Sequence, residues 1–103
     1  MVLDVVKSIE GVPIRLTDER WYDHILEQHS YMSGFYNEVL SAVENPEFIS
    51  RGNKGTKIAI VNLGWRRWIH VVYREISKTD GFIISAFIDK EFNKNKTIWK
   101  RDN

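Results

Sequence analysis

Three histidines, His24, His29 and His70, are the side chains of this 103-residue chain that titrate nearest neutrality. Metal binding is the first chemistry to ask of them. His24 and His29 are five residues apart, which sets them about 140° apart around a helix, whereas a chelating pair on one helix needs a spacing of four. The chain has no cysteine, so thiolate nucleophiles, disulfides and cysteine metal sites are excluded together. Neither a metal site nor a cofactor is expected. Ser85 lies in an apolar run without a Gly-x-Ser-x-Gly elbow, and no phosphate-binding glycine loop, dinucleotide fingerprint or zinc-peptidase motif is present.

What remains open to these residues is metal-independent phosphodiester chemistry. Cleaving RNA through its own 2′-hydroxyl takes a base for that proton, an acid for the leaving oxygen and fixed cations facing the phosphorus. Histidine serves either proton role, and arginine meets phosphate oxygens bidentately. The stretch Gly64 to Glu75 mixes such groups. Its alternating, β-branched and aromatic pattern predicts a half-buried strand, with Arg67, Ile69, Val71 and Tyr73 on one face. The other face carries Arg66, Trp68, His70, Val72 and Arg74. Arg66 and Arg74 suit a phosphate, and Trp68 suits an unpaired base. His70 is either a proton carrier or an ordinary half-exposed strand histidine. Arg20 and His24 are four residues apart, the spacing of a phosphate clamp or of a solvated helix face. His29 ends an apolar helical stripe, a favourable place for an imidazole at a helix C-terminus even without catalysis.

The charge pattern agrees with a polyanionic or acidic partner. Net charge is only +1, but residues 1 to 47 hold nine acids against three bases. From Phe48 to Arg74 there are six bases, Arg51, Lys54, Lys57, Arg66, Arg67 and Arg74, and no acid. Segregation of this kind creates a local field in a nearly neutral molecule, or simply solvates exposed strands.

These residues must be positioned by one domain over 1–103, since a chain of this size holds a single modest core. No apolar run approaches the length of a membrane span, and the N-terminus lacks a signal-peptide pattern, so the expected location is cytoplasmic. An N-terminal hairpin is predicted from Leu3 to Ile9 and Val12 to Leu16 around Glu10-Gly11. Thr17 reads as an N-cap for a helix to about His29, and a second helix follows from about Gly34 to Glu44, stopped by Asn45-Pro46. Strands are then predicted at Phe48 to Arg51, Lys57 to Leu63, Trp65 to Ile76 and Gly81 to Lys90, with turn chemistry in Gly52-Asn-Lys-Gly, Gly64 and Ser77-Lys-Thr-Asp-Gly. The basic tail, Glu91 to Asn103, either adds an edge strand or lies across the sheet. The expected fold is α+β: two N-terminal helices packed on one face of a four-stranded antiparallel sheet, with the hairpin as an extra element.

Three segments also carry a resemblance: Leu16 to His29, Ala42 to Ile49 and Gly81 to Phe87. With the order of elements, they resemble the small phage- and mobile-element-associated BECR-type domains, grouped with barnase, EndoU, colicin-RNase and RelE-like nucleases. The resemblance covers roughly residues 14 to 90. It implies the same α+β arrangement and a metal-independent endoribonuclease, often the toxin of a toxin–antitoxin pair with an acidic antitoxin as partner. It implies proton-transfer or positioning roles for His24 and His29, and for Ser85 a hydrogen-bonding role at a sheet position where threonine is expected. The competing expectation is a non-catalytic module that docks nucleic acid or an acidic protein on the basic, Trp-bearing face. A homodimer burying Trp68 and Trp99 is the third.

Overall fold

The computed structural model describes residues 1–102. Its centre is the strand that the alternation marks out: β5, Arg67–Ser77, buries Ile69, Val71 and Tyr73 on one face. The other strands are β1 Val2–Lys7, β2 Pro13–Thr17, β3 Phe48–Arg51, β4 Lys57–Gly64, β6 Asp80–Asp89 and β7 Thr97–Lys100. They form one seven-stranded sheet in the order β1-β2-β6-β5-β4-β3-β7. Neighbours are antiparallel except β2 and β6, which run parallel.

The expected four-stranded antiparallel sheet is therefore incorrect. The four predicted strands are present as β3 to β6, but the N-terminal hairpin joins them through Ile14↔Gly81 and Arg15↔Phe82, and the tail pairs with β3 through Phe48↔Lys100 and Ile49↔Trp99. Local periodicity marks a strand and its faces; it does not say which distant strand completes its hydrogen bonds.

Gly81 makes the parallel contact possible. It belongs to β6, and a Cβ there would come within 2.5 Å of Ile14 Cδ1 and 2.7 Å of the Arg74 carbonyl oxygen. It serves close strand approach rather than the turn predicted for Ser77 to Gly81.

Thr17 caps the first helix as expected, its hydroxyl accepting from the Arg20 amide at 3.2 Å. This helix, α1, spans 18–28 and contains a π-turn at Trp21–Ile25, closed by the Leu26 amide on the Trp21 carbonyl. A 3₁₀ segment, Ser30–Gly34, leads to α2, Tyr36–Glu44. Trp21, Ile25, Met32, Val39, Ala42 and Val43 from this layer pack with Ile14, Leu16, Ile69, Val71, Tyr73 and Ile83 of the sheet. Among the described residues no helix is long and apolar enough to cross a membrane.

Among the described residues, β6 has no strand on its outer side beyond Phe82. Tyr31 covers part of that edge: its hydroxyl accepts from the Ile88 amide at 3.1 Å and lies 3.4 Å from the Ile88 carbonyl, so a side chain completes ladder bonds that would otherwise be exposed.

Candidate functional site

The sheet face turned away from the helices is not open across its whole width. After β6 the chain crosses it to reach β7 on the far edge, and Phe92 in this crossing packs on both Trp68 and Phe48, with ring centroids 4.7 Å away in each case. Trp68 is thus covered by Phe92, a residue that local pattern does not connect to it.

His70 lies beside this aromatic group, at 7% exposure. Its ring is nearly parallel to Phe87, at 11° and 4.7 Å between centroids. Its Nδ1 is 2.9 Å from the Trp68 carbonyl oxygen. A carbonyl only accepts, so Nδ1 carries a hydrogen and Nε2 is the lone-pair nitrogen of the neutral ring. Burial pushes the imidazole below its ordinary value of 6.5, against the opposing pull of that hydrogen bond and of Asp89, and so favours the neutral form.

The same ring lines a cavity of about 240 Å³ between β3, β4 and the crossing segment. Ser50, Arg51, Asn53, Asn93 and Lys96 supply its polar wall. Ser50 is 4% exposed, and its hydroxyl has no hydrogen-bond partner. Two cations, two amides and an imidazole line this partly open hollow, a composition that suits an anion. Ser50, Arg51, Asn93 and Lys96 are not among the candidate site residues read from the sequence, because the β3–β7 pairing assembles them. The signal available was Arg51 in the acid-free stretch and Lys96 in the basic tail.

The other sequence-derived residues divide. His29 packs on Phe87 from the helix side, centroids 5.9 Å apart, so Phe87 contacts both His29 and His70. His24 lies half-buried on the π-turn of α1. Ser85 pairs with Val72, beside a bulge in β6. Arg74 is on the same strand face as His70, but its guanidinium donates to the Lys54 carbonyl at 2.6 Å. Arg20 lines a separate pocket of about 190 Å³ with Arg15, Thr17, Phe82 and Ile83. Arg66 departs most from its expected place: it is a turn residue at φ 56°, not a strand neighbour of Trp68, and its guanidinium lies over Trp65 at 5.5 Å. Among the described residues no three His, Cys, Asp or Glu side chains form a metal-ligating group.

Comparison of the chain with protein-family models, with curated proteins and with solved structures returns no match.

Proposed function

We propose that the protein is a metal-independent endoribonuclease of the cytoplasm, working at the cavity beside His70. The observation that carries this reading is the placement of the His70 ring, neutral and Nδ1-protonated, on a cavity wall shared with Arg51, Lys96 and Ser50. In the proposed reaction His70 Nε2 takes the 2′-hydroxyl proton. The 2′-oxygen then bonds to phosphorus, and the bond to the 5′-oxygen breaks as that oxygen receives a proton. A 2′,3′-cyclic phosphate and a 5′-hydroxyl result. Arg51 and Lys96 face the charge that builds on the phosphoryl oxygens. His24 and His29 are outside the lining of this cavity, so the leaving oxygen takes its proton from the Lys96 ammonium or from solvent. A toxin role with an acidic antitoxin as partner belongs to the same reading, through the resemblance in residues 14 to 90.

A second reading, a non-catalytic nucleic-acid-binding module, is favoured by one feature. At 7% exposure and stacked on Phe87, His70 has little room to swing between a nucleophile and a leaving group.

The test is incubation of total RNA with the protein in excess chelator, beside folded His70→Gln, His29→Ala, His24→Ala and Arg51→Ala variants. The nuclease reading expects cleavage by the parent and a loss of about 100-fold or more in His70→Gln. RNA retained at low salt but uncut by any form supports the binding module instead.

A further inference from the structure

We propose that the tip of the β4–β5 hairpin is a second contact site for single-stranded RNA, with an unpaired base on Trp65 and flanking phosphates on Arg66, Arg67 and Lys90. The inference rests on RNA as the ligand of the neighbouring cavity and extends that reading by stating where the rest of the strand lies.

Trp65 is 85% exposed, the most exposed large hydrophobic side chain among the described residues, ahead of Met1 at 84%. With Arg66, Arg67 and Lys90 it outlines an open, mainly apolar hollow of about 450 Å³. None of these three cations is in a salt bridge among the described residues. The acids nearest in sequence are Asp89, whose carboxylate accepts from the Lys90 amide at 2.7 Å, and Glu91. An indole flanked by cations that form no salt bridge among the described residues, though Arg67 donates to the Leu63 carbonyl at 3.3 Å, matches the alternation of bases and phosphates in a single strand. A neutral apolar partner would leave the cations unused, whereas a phosphate backbone engages them.

The backbone supplies a separate observation. The hairpin turns on Trp65 and Arg66 between the paired Gly64 and Arg67, and Arg66 sits at φ 56°, in the left-handed region. Glycine or asparagine would occupy that position with less strain. Its guanidinium is held over Trp65, leaving the other face of the indole for a ligand. Strain retained at an exposed tip, together with exposed side chains that no packing requires, points to use of the tip.

The tip and the cavity are also close along the chain. About 10 Å of strand separates Arg67 from His70 on β5. The crossing segment starts at Lys90 beside the tip and reaches Lys96 at the cavity, with Lys94 between them. A strand held at both places is several nucleotides long.

The experiment is anisotropy binding of a fluorescein-labelled oligouridylate of twelve nucleotides in the His70→Gln background, with and without Trp65→Ala or Arg66→Gly. Trp65→Ala is expected to weaken binding by at least about fivefold, the worth of one stacked base. Arg66→Gly is expected to weaken binding and flatten its salt dependence while the unfolding midpoint stays at or above the parent's. Parent-like affinity in both tip variants, or no binding of the oligonucleotide even at low salt, overturns the proposal. Binding that depends on Trp65 in a protein that cuts nothing upholds the tip and defeats the nuclease reading; RNA cleavage with parent-like binding by both variants does the reverse.

Discussion

The imidazole of His70 lies almost flat on the ring of Phe87, its partner across the β5–β6 ladder, with centroids 4.7 Å apart and planes 11° from parallel. Two consequences follow from this stack. With the Nδ1 contact to the Trp68 carbonyl it fixes a ring orientation that leaves Nε2 as the lone-pair nitrogen, and it removes the ring from water, which disfavours the imidazolium.

Stability should therefore depend on pH through His70. The unfolded chain takes up a proton near the ordinary 6.5, while burial holds the folded value lower, so the unfolded state binds more protons in the interval between them. The contribution of the buried neutral ring is complete above the unfolded value and is lost as pH falls through the folded one. Urea midpoints should be lower at pH 5.5 than at pH 7.5, and His70→Gln should shrink that difference. An unchanged difference in the variant would mean that His70 titrates alike in both states.

Gly81→Ala should cost about 2 kcal/mol, because the new methyl would meet the Arg74 carbonyl, a backbone atom that cannot swing away, as well as Ile14. Gly34→Ala is the control. No atom lies within 4 Å of a Cβ there, and its φ is outside the left-handed region, so the change should stay within about 0.5 kcal/mol of the parent. Denaturant midpoints with unchanged slopes distinguish the two. Equal effects at both positions would remove the close-approach explanation for Gly81.

Phe92→Ala should uncover Trp68. Phe92 is only half-buried, so the loss should lie near or below the low end of buried phenylalanine truncations, about 2 to 3 kcal/mol. In a Trp65→Phe background, which removes the most exposed indole, the emission maximum should move to the red as water reaches Trp68. An unmoved maximum would show that the crossing segment does not seal this face.

The elements that local chemistry specifies were largely legible. The Thr17 cap, the core face of β5 and the stop at Asn45-Pro46 each depend on residues within a few positions, where hydroxyl geometry, alternation and proline stereochemistry act. The candidate site was legible only in pieces. His70 and Arg51 are on neighbouring stretches, and their charge and type could be read, but not that they share a wall. Arg66 was misplaced because alternation continued through the hairpin assigns it a strand face, whereas the chain turns there with φ positive.

By itself, then, the sequence determined where the two helices and the strands β1 to β6 lie, which faces are apolar, and that the chain's middle is basic and free of acids. Only the tertiary structure decided that β2 runs parallel beside β6, that β7 closes the far edge, and that the segment between β6 and β7 crosses the sheet to cover Trp68 and complete the His70 cavity. The reason is the range of the forces involved. Side-chain alternation and capping are satisfied within a few residues, whereas ladder bonds such as Ile14↔Gly81 and Phe48↔Lys100 join segments far apart in the chain, and their partners are chosen by the packing of the whole domain.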